Sequence, residues 1–579
     1  MQLQKVKIHN LRSILDADFD LEKYSLLVGE NNAGKTNIIT ALRIFYEDDI
    51  KFDVKNDFPK CNPTDKESWI ELEFLTTDDE QASLKDEYKS ADKILRVRKY
   101  LKSENSDFVK SGTSNIFAYE AGVLSANQFY GAKNISQAKL GKLLFIPELN
   151  KTDDSLKMSG PSPLRNMIDF VMQKVIKNSP VYSNLQTAFE KFNKDFKEES
   201  SGDGFSLKEL ASDINKNVAE WGINFGLDIN SITVDNIIKN LVSHYIEDKQ
   251  LNDQRVPISC FGQGLQRHLI YTLIRVGAKY IDKKEEKKKE FSPDLTIILF
   301  EEPEAFLHPT QQEFLNADLK KLSEDPNQQI ICCTHSAIFV SKNVESLPSL
   351  LKVIRNNGQT KIYQINKSEL DALFDKNNSM FKMFSDKLLD TTILQDIKNE
   401  INKKSLGSIT SNDELKLEEE SLKYFLWLDS ERSCSFFAKH VFICEGTTEK
   451  IFLDYLLNTE WLDLKVKHLY FLDAMGKYNI HRYMNLFSEL GIWHSIIFDK
   501  DQHQGIHDLI NGFILNKKNS FTKGIYSFDS DIEDFVGIGK AKRRDLKPLN
   551  IMWNYKNNKI DDSKITELKK IIEGLINRQ

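Results

Sequence analysis

Gly29-Glu30-Asn31-Asn32-Ala33-Gly34-Lys35-Thr36 is the stretch whose reading decides the fold. Ahead of it, Tyr24 to Val28 is a continuous apolar run of buried-strand character. Behind it, Ile38, Ala41, Leu42 and Phe45 recur at helical spacing across Asn37 to Tyr46. A Gly-x-x-x-x-Gly-Lys-Thr loop between a strand and a helix is a phosphate cradle. Gly29 and Gly34 let the backbone fold tightly, so that the amides of the loop, Asn31 and Asn32 among them, and the helix N-terminus face phosphate oxygens. Lys35 is then placed to reach the β- and γ-phosphates, and the Thr36 hydroxyl to ligate magnesium. The bland alternative is a glycine turn that carries a surface lysine.

Working outward, Leu3 to Ile8 alternates and Ala17 to Leu21 follows as a second strand. Far downstream, the apolar run Leu295 to Phe300 ends in Glu301-Glu302-Pro303-Glu304 and continues to Leu307-His308-Pro309. Acids at the carboxyl end of a buried strand stand where a doubly wound sheet places its ligand chemistry. Glu301 would bind the nucleotide's magnesium through water, and Glu302 would polarise the attacking water. Between these halves, Ser259-Cys260-Phe261-Gly262-Gln263-Gly264-Leu265-Gln266-Arg267 leads into an apolar helix, and its two glycines make a second amide nest. Thr334-His335-Ser336 follows the run Gln328 to Cys333, where a histidine at a strand end could sense the γ-phosphate. Taken singly, a glycine turn and a satisfied core-edge histidine explain these two as well.

In order, these elements resemble the ATP-binding-cassette ATPases of the RecF, structural-maintenance-of-chromosomes and OLD (overcoming lysogenization defect) group. The resemblance implies an α/β, RecF-like ATPase head. It implies that two heads pair with ATP between one phosphate loop and the partner's signature, here Gly262, Gly264 and Gln266, so that a homodimer or higher homo-oligomer forms. Ile8-His9-Asn10-Leu11-Arg12-Ser13 resembles the family's first strand, where an arginine, here Arg12, lies near the nucleotide. The chain departs at Gln263, where many relatives carry a small polar residue.

A second constellation begins near Ala438. Val441 to Cys444 is apolar and Glu445-Gly446-Thr447-Thr448-Glu449 turns into a helix. Leu469 to Leu472 and Ser495 to Phe498 are further strands, with Gly476-Lys477 as a turn, and the last strand ends in Asp499-Lys500-Asp501. Aspartates at i and i+2 after a strand can direct oxygens to one cation, although an isolated Asp-x-Asp is usually a solvated turn. The pairing of Glu445-Gly446 with Asp499 and Asp501 resembles the TOPRIM domain, a small Rossmann-like fold of topoisomerases, primases and OLD nucleases. The resemblance implies Glu445 as metal ligand or general acid-base, Asp499 and Asp501 as ligands and Glu449 as the second acid. It also implies Glu533, in Ser530-Asp531-Ile532-Glu533-Asp534, as a late acidic ligand and Lys547, before Pro548, as the lysine that stabilises the transition state. Five clustered acids repel one another without cations, so divalent metal, magnesium or manganese, is expected.

A chain of 579 residues with 40% hydrophobic content supports two or three domains. The expected boundaries are 1–154 and 253–370 for the ATPase, 155–252 for a helical insertion of core or dimerisation role, 371–435 for a helical connector and 436–579 for TOPRIM. Net charge is −7, so DNA must be met by a local basic patch. Lys283 to Lys289 reads as a solvated loop, and Lys540, Lys542, Arg543, Arg544 and Lys547 are the better patch. The six cysteines form no C-x-x-C pair, which fits a reducing cytoplasm, and no run of about 18 apolar residues predicts a membrane span. The resemblance as a whole implies an ATP-regulated, divalent-metal-dependent DNA endonuclease of the OLD family in anti-phage defence. It leaves open a defence partner, whether retron RNA, reverse transcriptase or a helicase-like protein. The alternative is an ATP-driven DNA-binding clamp with a non-catalytic TOPRIM domain.

Overall fold

The alternation at the amino terminus builds the first sheet. β1 (Gln2–Leu11) pairs with β2 (Ile14–Asp20). After β3 (Tyr24–Val28), which joins another sheet, the chain returns as β4 (Ser68–Leu75), β5 (Ile94–Lys102), β6 (Ile116–Glu120) and β7 (Val123–Gln128), giving the antiparallel order β2-β1-β4-β5-β6-β7. One face carries Val6, Ile8, Ile70, Leu72, Leu95 and Val97 into the core. The other carries charge: Lys7 is 3.0 Å from Glu71 and 2.9 Å from Glu73, and the Arg98 Nε donates to Glu71 across 2.8 Å. This period-2 division is what an antiparallel sheet with one covered face requires.

A computed structural model of the chain describes residues 1–47, 50–131, 133, 139–147, 156, 164–165, 168, 171–172, 175, 179–227, 233–262, 264–266, 269, 272–273, 276, 291, 293–340, 347–404, 406, 423, 428–501 and 505–577. Those residues fall into two compact units, Met1–Glu148 with Lys288–Gln579, and Leu149–Lys287.

The larger unit holds a second sheet made of β3, β8 (Lys142–Ile146), β11 (Thr296–Glu301), β12 (Gln328–Thr334), β13 (Leu350–Asn356) and β14 (Gln359–Tyr363), in the order β14-β13-β3-β12-β11-β8. All of its pairings are parallel except β13 with β14. Tyr24 to Val28 and Ile297 to Phe300 are buried throughout, as strands of a sheet covered on both faces must be. The expected helix after the loop runs Lys35–Phe45 and buries Ile38, Ala41, Leu42 and Phe45. The ends of β3, β11 and β12 therefore bring the phosphate loop, Glu301 and His335 to one edge.

The same unit ends in a third sheet, wholly parallel, of β15 (His440–Cys444), β16 (Leu469–Asp473), β17 (His494–Asp499) and β18 (Thr522–Phe528), ordered β16-β15-β17-β18. Helices Thr447–Thr459, Lys547–Lys556 and Asp562–Asn577 pack Phe452, Leu456, Ile551, Leu568 and Ile572 on it. Three helices, Lys367–Asn377, Ser379–Leu389 and Gln395–Lys403, make up the described part of the connector. They are seated on this domain: His481 Nε2 bonds the Asn377 carbonyl at 2.9 Å, and a side chain at Gly505 would overlap Ile397.

The smaller unit contains helices Pro180–Glu198 and Leu207–Val218 and the antiparallel pair β9 (Ile246–Asp248) and β10 (Gln254–Val256). At 149–287 it is wider than the insertion expected at 155–252, and it takes in Gly262, Gly264 and Gln266. Gln263, Arg267 and the run Lys283 to Lys289 lie outside the described residues.

Candidate functional site

The phosphate loop is held in shape by what it touches. Gly29 and Gly34 have φ of +155° and +108°, and a side chain at the first would overlap the Val353 carbonyl, at the second the Thr360 side chain. Both glycines are thus required by close approach as well as by backbone conformation. Thr360 donates to the Ala33 carbonyl at 2.9 Å and shares a 2.7 Å hydrogen bond with Ser13. Lys35, 5% exposed, donates to the carbonyls of Gly29 and Glu30, each at 2.8 Å. Burial lowers its pKa. The Thr36 hydroxyl donates to Glu301 at 3.0 Å, which brings together the two groups expected around a nucleotide-bound cation. Asn31 and Asn32 are exposed.

Around this loop the sequence-expected groups fall within one neighbourhood. His335 Nε2 lies 3.5 Å from Glu302, and burial first, then the Lys35 charge, lowers the imidazole to about 4, so it is neutral at physiological pH. Its backbone amide donates to Glu304 at 2.6 Å; that carboxyl is raised by burial. Arg12 donates through Nε to Asp57 at 2.8 Å and through a terminal nitrogen to Thr40 at 3.0 Å on the loop's helix. Gly262, Gly264 and Gln266 form a local helix start, with the Leu265 amide bonded to the Gly262 carbonyl at 3.0 Å, within the smaller unit.

The carboxylates gather at the same kind of sheet edge in the third sheet, the carboxyl ends of β15 and β17. Parallel order puts Glu445 beside Asp499: the Asp499 amide donates to Glu445 Oε2 at 3.2 Å. Glu449, one helical turn on, turns its carboxylate back to accept from the Gly446 amide at 3.1 Å. Burial raises all three carboxyl pKa values, and the charges of Glu445 and Glu449 push Asp499 further up. Asp499 Oδ1 is buried with no hydrogen-bond partner. Asp501 is different. Burial alone would raise it, but hydrogen bonds from His507 and Lys477 outweigh burial and hold it ionised far below the usual carboxylate range.

Glu533 and Lys547 arrive from the end of β18. Glu533 is fully buried; its Oε1 accepts from Asn550 at 2.7 Å and the Ala541 amide at 3.1 Å, and its Oε2 lies 3.7 Å from the Lys547 ammonium. Asp531 pairs with Lys540 at 2.8 Å. The Lys547 charge also lowers Glu449 and Asp499, so it faces the carboxylate group.

Sequence reasoning left out Lys477, taken only as part of a turn. Its side chain is 2% exposed and its ammonium stands 2.7 Å from Asp501 and 3.7 Å from Glu445. A basic residue straight after a positive-φ glycine between two acid-bearing strands is the signal that was available. Among the described residues, no group of three or more His, Cys, Asp or Glu side chains stands as it is in ligating array. The donor set nevertheless fits a hard divalent cation: oxygens only, with two buried oxygens, Asp499 Oδ1 and Glu533 Oε2, left without a hydrogen-bond partner.

Two family models match the chain. The AAA ATPase domain matches residues 1–340, and the TOPRIM domain of overcoming-lysogenization-defect-like proteins matches residues 436–501. The Old nuclease of Escherichia phage P2 is 24% identical over 69% of this chain and 70% of its own length. The endonuclease GajA of Bacillus cereus strain VD045 is 22% identical over 96% of this chain and 86% of its own. Among solved structures, the SMC head domain from Thermotoga maritima is 13% identical over 63% of this chain and all of its own, at a TM-score of 0.30. With its phosphate loop inside the first match and Glu445, Glu449, Asp499 and Asp501 inside the second, the chain belongs to the AAA ATPase domain family and carries a TOPRIM domain like that of overcoming-lysogenization-defect proteins.

Proposed function

We propose that the chain is an ATP-regulated, divalent-metal-dependent endonuclease that cuts DNA in anti-phage defence. The observation that carries the reading is the convergence of Glu445, Glu449 and Asp499 at two neighbouring strand ends, where burial raises all three, Glu445 raises Glu449, and both raise Asp499. Such a group is stable in its charged form only when cations are supplied. Two matched relatives bear the names Old nuclease and endonuclease GajA.

Glu445, Glu449, Asp499, Asp501 and Glu533 would hold magnesium or manganese, which supplies charge neutralisation of the phosphodiester and a more acidic water. Glu445 accepts the proton of the attacking water, and Lys547 stands ready to meet the negative charge that develops on phosphate oxygens. Lys540, Lys542, Arg543 and Arg544, which follow Glu533 in the chain, would supply the local positive surface that a chain of net charge −7 otherwise lacks. At the other site Lys35 and Arg12 would bind phosphate, Thr36 and Glu301 would hold the nucleotide's cation, Glu302 would orient water, and neutral His335 would donate its ring N–H to the γ-phosphate.

The reading includes a homodimer. Helix Pro180–Glu198 of the smaller unit leaves Val181 77%, Leu185 41%, Phe192 49% and Phe196 42% exposed, an apolar stripe that a second copy would cover. Light scattering of the purified chain tests it. A defence partner, whether RNA, reverse transcriptase or helicase-like protein, belongs to the same reading.

A supercoiled-plasmid assay with magnesium or manganese, with and without ATP, is decisive. Glu445→Ala and Asp499→Ala should abolish nicking while nucleotide binding survives; cleavage by both variants would refute the assignment. The second reading, an ATP-driven DNA clamp whose TOPRIM domain is structural, draws on Lys477, which already supplies Asp501 and Glu445 with a cation. It requires that wild type bind DNA under ATP and leave no cut product.

A further inference from the structure

A cleft of about 600 Å³ opens on the far side of the phosphate loop, at the seam with the TOPRIM domain. One wall is Glu30 to Ala33, the outer surface of the loop, and none of Arg12, Lys35, Thr36, Glu301 or Glu302 lines it. The cleft shares Asn31 and Asn32 with the phosphate loop but is not lined by Lys35 or by the Thr36–Glu301 pair. The second wall is the β13–β14 hairpin, which gives Arg355, Lys361 and Tyr363. The third is the start of β15 and β17, which gives Lys439 and Trp493, and Phe521 closes the floor.

The chemistry of these walls is uneven. Arg355, Lys361 and Lys439 are exposed, whereas Glu30, 3.9 Å from Lys439, is the one acid. Tyr363, Trp493 and Phe521 form a half-buried aromatic floor, with ring centroids of Trp493 and Phe521 5.1 Å apart and Tyr363 edge-on to Phe521 at 5.7 Å. Excess positive charge above an aromatic floor, in a cleft of small-ligand size, is the recognition chemistry of a base carrying phosphate.

The position adds a reason for such a ligand. β13 touches the phosphate loop so closely that Gly29 has no room for a side chain against Val353, and the buried Lys352 of β13 donates to the Phe436 carbonyl just ahead of β15. β15 and β17 then run away from the cleft to Glu445 and Asp499, about 20 Å on at the rise of a parallel strand. A ligand here touches both domains at once while standing clear of either reacting centre.

We propose that this seam is a second, regulatory nucleotide site, which takes a heteroaromatic base with its phosphate between Arg355, Lys361 and Lys439 and the Trp493 floor. The shared chemistry fits a free mononucleotide or the end of a single strand, and the proposal does not depend on the TOPRIM domain being a nuclease.

The test uses the full chain and the fluorescent probe mant-ADP. Lys35→Ala weakens the phosphate loop about 10- to 100-fold, so tight binding that remains reports the seam. Expected are two bound nucleotides per wild-type chain and one in Lys35→Ala. The remaining one should lose its tryptophan-to-probe energy transfer in Lys35→Ala/Trp493→Phe and weaken at least tenfold in Lys35→Ala/Arg355→Glu/Lys361→Glu. Arg355 and Lys361 are exposed, so this charge reversal spares the core, and a circular dichroism melt checks it. Competition by a short oligothymidylate assigns the site to a strand end, and its failure assigns it to the free nucleotide. A single nucleotide per wild-type chain that Lys35→Ala abolishes overturns the proposal, as does residual binding indifferent to Trp493, Arg355 and Lys361.

Discussion

The Lys477 ammonium donates to Asp501 across 2.7 Å from a side chain only 2% exposed, so a lysine occupies the space between acids where a cation was expected. Its removal leaves a carboxylate without its counter-charge. Lys477→Met is expected to destabilise the metal-free protein by about 3 kcal/mol. Magnesium or manganese should recover part of that loss by filling the vacated position. Urea unfolding with and without the ion measures both, and an unchanged midpoint would show that the pair contributes nothing.

Asp499 carries the opposite prediction. Burial and the charges of Glu449 and Glu445 raise its pKa above neutral, so at neutral pH the ion-free fold holds this carboxyl protonated where the unfolded chain would ionise it, at a cost to stability. Asp499→Asn should raise the melting temperature of the ion-free protein by a few degrees and cancel the rise that divalent metal gives the wild type. Differential scanning calorimetry in chelator and in magnesium reads both effects.

At the phosphate loop, Lys35→Ala removes a charged phosphate contact and should weaken nucleotide binding about 10- to 100-fold. Glu302→Gln should leave binding within a few-fold and lower turnover. Equal losses of binding and turnover in Glu302→Gln would mean that this residue positions nucleotide and not water.

The buried histidines of the third sheet predict an acid limb of instability. Burial lowers His494 to about 4 and, more strongly, His440. His494 Nδ1 bonds the Ile492 carbonyl and must carry the proton, so Nε2 accepts from Thr522. Below pH 6.5 the unfolded chain takes up protons that the folded chain refuses. Stability is therefore full above 6.5 and falls as pH drops towards 4, by about 3 kcal/mol for His494 alone. Denaturant midpoints from pH 7.5 to 4.5 should trace this limb, and His494→Gln should flatten it.

Gly-x-x-x-x-Gly-Lys-Thr, the apolar run Leu295 to Phe300 and the paired acids after Cys444 and Phe498 were legible in the chain because each is local. Strand, turn and helix lie within a dozen residues, and hydrophobic period alone separates them. The strand bounds at Tyr24–Val28 and Leu469–Asp473 follow for the same reason. Thr360 against Gly34 and Lys352 at the Phe436 carbonyl depend on contacts between residues far apart in sequence.

By itself the sequence determined that this protein has two phosphate-handling sites and an α/β scaffold for each, since loop chemistry and strand period are written in neighbouring residues. Only the tertiary structure decided how the acids share charge. The parallel register of β15 and β17 sets Glu445 against Asp499, and a turn in the connection between those strands, 24 residues ahead of Asp501, delivers Lys477 to it. Burial and proximity across long sequence separations set those energies, and no local pattern encodes them.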